Sequence, residues 1–160
     1  MQKKIISMIL AIAMVLSMFA GITIAVSAAS TVTLTFAGGS GTNGEWTFAD
    51  EASDISAVFA KGTHSSNEPR LDATCIRFYG TATMSNTMTV SGPVGCNITG
   101  IAFVFNGSYN NLTKVTATAG TLDNDAKTWA GSASTIVFTT TAQLRIESIT
   151  VTYEASDCSH

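Results

Sequence analysis

Apolar and polar residues alternate with a period of two along most of the chain between residues 31 and 153. Val32, Leu34 and Phe36 alternate with threonines, and Ile101 and Phe103 repeat this spacing. Such alternation places the apolar side chains on one face of a β-strand, and no segment after residue 30 has a helical period. The pattern predicts an all-β fold: an antiparallel β-sandwich of eight or nine short strands, as a jelly roll or another Greek-key arrangement. A closed barrel is the alternative.

The last predicted strand changes the parity of its apolar positions. Leu144 and Ile146 are even-numbered, whereas Ile149 and Val151 are odd-numbered. One strand keeps both pairs on the same face only if an extra residue is inserted between them. We therefore predict a β-bulge near Glu147-Ser148; the alternative is a strand that crosses from one sheet to the other at that point.

The first 29 residues have the three-part layout of a secretory signal peptide. Lys3 and Lys4 form a positive head, an apolar run extends from Ile5 to Val26, and small residues precede a cleavage point after Ala28 or Ala29. The apolar run approaches the length of a membrane span, so an uncleaved anchor is the alternative. We expect a secreted or cell-surface protein that contacts the membrane only through this segment during export.

The β-sandwich domain is predicted over residues 30–154, and residues 155–160 form a tail or the start of a following segment. After the leader, six basic residues stand against all eleven acidic ones, a net charge of about −5. A surface of this sign repels phosphate backbones, which disfavours a nucleic-acid partner.

Three cysteines follow the leader: Cys75, Cys96 and Cys158. Export permits a disulfide, and Cys75–Cys96 is the candidate pair inside the predicted domain. The alternative is that both are small, buried apolar residues with free thiols. Cys158 lies in the tail.

Residues with catalytic chemistry are sparse. The two histidines, His64 and His160, have no nucleophile or carboxylate at a recognisable spacing, and no phosphate-binding loop is present. Glycoside hydrolysis needs two acids about 5–10 Å apart. The acids, however, cluster in predicted loops, as at Asp50 and Asp54, and Glu147 is the exception within a strand. We therefore predict no enzymatic activity, with a glycoside hydrolase as the less favoured reading.

Asp123 and Asp125 are a weak candidate for calcium, which takes six to eight oxygen ligands. No glutamate completes a calcium-loop motif around them. A solvated Asx turn is the favoured interpretation, and no other cofactor is expected.

Aromatic residues at predicted strand ends form the candidate ligand site. Exposed planar rings can stack on sugars while nearby amide and guanidinium groups bond the hydroxyls; the alternative for each ring is packing in the core. The candidate ligand-binding residues are Trp46, Arg77, Tyr79, Tyr109, Asn110 and Trp129.

Several segments together resemble a β-sandwich module of secreted and surface proteins of gut bacteria. They are SNEPR (66–70), CIRFYG (75–80), NTMTV (86–90), ITGIAF (98–103), TWAG (128–131), IVF (136–138), QLRI (143–146) and ITVTY (149–153). The resemblance implies a jelly-roll-like accessory domain without catalysis. Asp157 to His160 similarly resembles the opening of Cys-x-His segments in such proteins.

These features favour a non-catalytic binding module with a glycan or cell-envelope polysaccharide as its ligand. The alternative is a structural or adhesive spacer domain of a longer surface protein.

Overall fold

The computed structural model describes residues 28–37, 40–42 and 44–155. Regular structure in this part of the chain comprises thirteen β-strands and a 3-10 turn, η1, at Leu112–Lys114. The strands are β1 (Ser30–Thr35), β2 (Ser40–Thr42), β3 (Glu45–Asp50), β4 (Ile55–Ala60), β5 (Arg70–Leu71), β6 (Ile76–Phe78), β7 (Thr87–Ser91), β8 (Cys96–Phe105), β9 (Val115–Ala117), β10 (Thr121–Asp123), β11 (Thr128–Ala133), β12 (Thr135–Thr140) and β13 (Leu144–Ala155).

The strands form two antiparallel sheets. Sheet A has the order β10-β11-β8-β13-β6-β5, and sheet B has the order β2-β3-β4-β7-β12-β9. Strand β1 joins sheet A by pairing with residues 148–153 of β13, on the edge that β6 uses at residues 144–146. The prediction of an all-β antiparallel sandwich is confirmed. The strands form two separate sheets, which excludes the alternative of a closed barrel.

The strand count exceeds the predicted eight or nine because short strands form in segments that lack alternation. Strands β2, β5 and β10 have only two or three residues, and each pairs with the strand that follows it. Strand β11 has the sequence TWAGSA, in which only Trp129 is a large apolar residue. A run of small residues carries no period-two signal, so pairing with β8 is what makes this segment a strand.

Aromatic side chains from both sheets meet in the core. Phe59 of β4 packs edge-to-face on Phe78 of β6, with ring centroids 5.9 Å apart. Phe138 of β12 meets Phe103 of β8 at 5.6 Å and 90°. These pairs join sheet B to sheet A, and edge-to-face geometry of this kind adds stability beyond the burial of apolar area.

The predicted bulge in β13 is confirmed by the strand register. Ile146 pairs with Phe105 and Ser148 pairs with Val104, so Glu147 is an extra residue relative to β8. Because of this insertion, the side chains of Leu144, Ile146, Ile149 and Val151 are all buried. Strand β13 stays in sheet A throughout, which excludes the alternative of a crossing between sheets.

A buried asparagine ties the long loop after β4 to the end of β6. Asn86 is fully buried, its Oδ1 accepts from the backbone N–H of Tyr79 at 2.8 Å, and its Nδ2 donates to the carbonyls of Lys61 and Asn67 at 3.1 and 2.9 Å. His64 is buried in the same loop, where its Nδ1 accepts from the N–H of Asn67 at 3.0 Å. These side-chain hydrogen bonds take the place of bonds to water, and they order the loop.

The prediction of a disulfide between Cys75 and Cys96 is wrong, because both thiols are free. Cys75 precedes β6, which pairs with Ile146 of β13, whereas Cys96 pairs with Ala155 at the far end of that strand. Nine residues of strand separate those positions by roughly 30 Å, and a disulfide needs Cα atoms within about 7 Å. The alternative of free thiols holds, with Cys75 buried and Cys96 half-buried.

The predicted signal peptide lies outside the described residues except for its last two positions, and residues 156–160, with Cys158 and His160, also lie outside them. Across the described residues, no helix has the length and apolar character that a membrane crossing requires.

Candidate functional site

The three arginines of the chain form one cross-strand row on the outer face of sheet A. Arg70 of β5 is the register partner of Arg77 in β6, and Arg77 is the partner of Arg145 in β13. Ile76 and Phe78 on either side of Arg77 are buried, so the arginine points away from the core. Neighbouring strands lie about 4.8 Å apart, so the row spans roughly 10 Å.

Asp72 neutralises part of this row. Its Oδ2 accepts from Nε of Arg77 at 2.5 Å, and its Oδ1 lies 3.7 Å from Nε of Arg70. The turn that places Asp72 is closed by its backbone N–H, which donates to the carbonyl of Cys75 at 2.8 Å. The hydrogen bonds that Arg77 makes with the side chains of Asp72 and then Tyr79 raise its pKa above its ordinary value. Arg77 is therefore a fixed positive charge held in place by its neighbours.

Arg145 is held differently, by an aromatic ring. Its guanidinium carbon lies 4.2 Å from the ring centroid of Tyr109, which is a cation–π contact, and its backbone N–H donates to the carbonyl of Tyr109 at 3.1 Å. The buried Nε of Arg145 has no hydrogen-bond partner, and neither has the buried Nε2 of Gln143 two residues earlier. Unpaired buried donors are uncommon in folded proteins, and here two of them are close neighbours along one segment.

The loop that carries Tyr109 is attached to the arginine row at several points. At its start, Asn106 donates through its backbone N–H to the carbonyl of Arg145 at 2.9 Å and through Nδ2 to Oε1 of the bulge residue Glu147 at 2.7 Å. Further along, Nζ of Lys127 donates to the carbonyl of Asn110 at 2.8 Å. These bonds anchor the loop on both sides of Tyr109, while the Tyr109 ring itself remains 39% exposed.

The structure brings together four of the candidate ligand-binding residues. Arg77 and the half-buried Tyr79 lie at one end of the constellation, and Tyr109 and Asn110 lie at the other. The Nδ2 group of Asn110 donates to the carbonyl of Gly107 at 3.2 Å, so this side chain also shapes its own loop.

Arg145, Arg70 and Gln143 complete the constellation and were not predicted from the sequence. Their chain positions lie up to 75 residues apart, from 70 to 145, and only the register of β5, β6 and β13 makes them neighbours. An arginine between two buried apolar residues, as in Leu144-Arg145-Ile146, is the one sequence signal that indicates an outward-facing position.

The prediction that Trp129 is an exposed ligand-binding residue is wrong. Its side chain is only 1% exposed, packs edge-to-face on Phe138, and donates from Nε1 to the carbonyl of Ala119 at 2.6 Å. The indole also lies against the backbones of Gly120 and Gly131, where an added Cβ would come within 2.5 Å of the ring. The side chain is therefore part of the core.

Trp46 lies apart from the arginine row, in β3 of sheet B. It is half-buried, packs against the hydrophobic core, and donates from Nε1 to the carbonyl of Pro69 at 3.0 Å. This contact fastens the loop after β4 to sheet B, so Trp46 is rim packing and not part of the constellation.

The weak calcium candidate forms an Asx turn. Oδ1 of Asp123 accepts from the backbone N–H groups of Asp125 and Ala126 at 2.8 and 2.9 Å, and both aspartates are exposed. Within the described ranges, no three His, Cys, Asp or Glu side chains cluster in a way that would hold a metal ion. The two aspartates therefore match the favoured interpretation of an exposed Asx turn.

The carboxylates considered for glycoside hydrolysis also have structural partners. Oδ2 of Asp50 accepts from the Ser53 hydroxyl at 2.6 Å, and Oε1 of Glu147 accepts from Asn106 at 2.7 Å. Asp50 ends β3 in sheet B and Glu147 is the bulge of β13 in sheet A, so they belong to different sheets.

A second surface feature is a shallow cleft of about 250 Å³ at the end of β12. Hydroxyl side chains dominate its lining, among them Thr63, Thr81, Ser85 and Thr139, and it contains no charged residue. The hydroxyl of Thr63 already accepts from the backbone N–H of Ser85 at 3.0 Å and donates to its carbonyl at 3.4 Å.

No family model, curated protein or solved structure matches this chain. The fold defines it as an antiparallel β-sandwich, and the constellation around Arg145 is its candidate binding site.

Proposed function

We propose that this domain is a non-catalytic binding module that holds a glycan at the constellation of Tyr109, Arg145, Arg77 and Tyr79. The observation that carries the proposal is the contact between Arg145 and the exposed ring of Tyr109, combined with the unpaired donors on Arg145 and Gln143. A ring offers apolar area to one face of a sugar, and the donors can bond to its oxygens.

The way the site is built also supports binding. Tyr109 is anchored on both sides by hydrogen bonds of Asn106 and Lys127, and Arg77 is fixed by Asp72. A preorganised site loses less conformational entropy when a ligand binds, which favours affinity for a partly flexible polymer.

Export and a cell-surface or secreted location form part of this proposal, through the predicted signal peptide at residues 1–29. A role as an accessory module, which the resemblance of its sequence segments predicts, is part of the same proposal. N-terminal sequencing of the protein recovered from a bacterial culture tests it. We expect a first residue at Ala29 or Ser30, and an uncleaved Met1 would contradict the signal peptide.

A glycan array with purified protein tests binding. Tyr109→Ala is expected to abolish retention while the melting temperature stays near that of the wild type. Val94→Ala is the matched control, because Val94 is fully exposed and precedes β8, whereas Tyr109 follows the opposite end of that strand. Retention unchanged by Tyr109→Ala would refute this site, and failure of the folded wild type to bind any glycan would favour the spacer role.

A further inference from the structure

Two buried side-chain hydrogen-bond donors in the segment around Arg145 are unpaired. These donors are Nε of Arg145, whose guanidinium lies against the ring of Tyr109, and Nε2 of Gln143, two residues earlier in the chain. We propose that the ligand of this site is an acidic glycan, whose carboxylate or sulfate group binds the guanidinium of Arg145 while a sugar ring rests on Tyr109. This inference rests on the proposed glycan-binding function.

An oxyanion fits the unpaired donors better than a neutral sugar hydroxyl does. Guanidinium presents its N–H groups as a planar fork, which matches the two oxygens of a carboxylate or sulfate. A hydroxyl brings no charge and presents a single oxygen to this fork. Because Nε of Arg145 is buried and unpaired, its present position costs free energy, and a small rotation of the guanidinium toward an oxyanion removes that cost.

The local charge also favours an anion, against the charge of the whole protein. Three arginines in the row face two carboxylates, those of Asp72 and Glu147, and the latter is already bonded to Asn106. The remaining acidic residues give the chain its net negative charge. At physiological ionic strength the field of distant exposed charges is screened beyond about 8 Å, so the nearby arginines dominate what the ligand experiences.

Arg77 and Arg70 extend the positive row beyond Arg145 by two strand spacings. Nε of Arg77 is committed to Asp72, whereas Arg70 is 71% exposed and only loosely paired, at 3.7 Å. A polymer with an acidic group on successive sugars can therefore place a second anion near Arg70. This arrangement predicts that polymers bind more tightly than single acidic sugars.

The test compares polymers that differ only in charge. The probes are polygalacturonate against its fully methyl-esterified form, dextran sulfate against dextran, and poly-L-glutamate as an anion without sugar rings. The variants are Arg145→Gln, which removes the charge, and Arg145→Lys, which keeps the charge but not the fork. Lys61→Gln is the matched control, because it removes one positive charge in the loop after β4 of sheet B.

Wild-type protein is expected to bind polygalacturonate or dextran sulfate and not its neutral counterpart. Arg145→Gln should weaken that binding by about 10- to 100-fold, Arg145→Lys by about 10-fold, and Lys61→Gln by less than about 2-fold. Melting temperatures identify any variant that fails to fold, and Arg145→Lys then carries the comparison. Binding to polygalacturonate alone assigns a uronate, and binding to dextran sulfate alone assigns a sulfated glycan.

Two outcomes would overturn the inference of an acidic ligand, and a third would overturn the proposed glycan binding as well. Equal binding of neutral and charged forms would refute the anionic ligand while leaving glycan binding intact. Equally tight binding of poly-L-glutamate would refute the role of the sugar ring. No binding to any polysaccharide by the folded protein would overturn the proposed function itself.

Discussion

Replacing Trp129 with alanine removes the largest fully buried side chain of the domain. The change deletes the edge-to-face contact with Phe138 and the hydrogen bond to the carbonyl of Ala119. Truncation of a buried tryptophan typically costs about 3–5 kcal/mol of unfolding free energy. The upper half of that range is expected here, because the neighbouring Gly120 and Gly131 have no side chains that could move into the cavity.

The loss should be measured by thermal and urea denaturation followed by circular dichroism. At about 4 °C per kcal/mol for a domain of this size, the melting temperature of Trp129→Ala falls by roughly 16–20 °C. Tyr109→Ala is the paired variant, since this ring is 39% exposed and its removal should cost no more than about 1 kcal/mol. Trp129→Phe should lie between them, because it keeps part of the packing and loses the hydrogen bond.

A small stability change in Trp129→Ala would refute this reasoning. If that variant melted within about 3 °C of the wild type and lost glycan retention, the indole would belong to the ligand platform and not to the core. The opposite pattern, a stable Tyr109→Ala that no longer binds, is what the structure leads us to expect.

Three further predictions test other parts of the molecule. Asn86→Asp should lower the free energy of unfolding, measured by urea denaturation, by at least about 3 kcal/mol, since a carboxylate would replace the amide that donates to two carbonyls. This loss should shrink in acid, where the protonated carboxyl can donate again. A loss that does not depend on pH would contradict this account. Gly80→Ala should lower the free energy of unfolding by more than about 2 kcal/mol, because the added Cβ would overlap the backbone oxygen of Thr140. In Gly100→Ala the added Cβ makes only ordinary contacts, so the loss should be less than about 1 kcal/mol. Equal losses in the two variants would refute the steric argument. Burial, and then the nearby carboxylate of Asp72, raise the pKa of the Cys75 thiol, so peptide mass spectrometry after iodoacetamide should show slower alkylation there than at Cys96. The folded state therefore keeps the Cys75 proton to a higher pH than the unfolded state does. The contribution of this thiol to stability is present at neutral pH and is lost as the pH rises through the alkaline range. A Cys75→Ala variant whose stability falls equally at alkaline pH would contradict this.

The alternation of apolar residues determined the fold class and the bulge without any tertiary information. Side chains in a strand point to opposite faces in turn, so the shift from Leu144 and Ile146 to Ile149 and Val151 required an inserted residue. The same argument failed for β11, because Trp129 is followed on its own face by Gly131 and Ala133. With no large apolar neighbour on that face, the alternation did not distinguish a buried tryptophan from an exposed one.

Only the tertiary structure decided which candidate residues form a site. Period-two alternation tells which face of its own strand a residue occupies, but not which strand lies beside it or what covers that face. Register between distant strands aligned Arg70, Arg77 and Arg145, and the loop after β8 placed Tyr109 over the last of them. The candidates Arg77, Tyr79, Tyr109 and Asn110 were recognisable by residue type. Arg145, which pairs with Arg77 and contacts Tyr109, became visible only once β6 and β13 were paired.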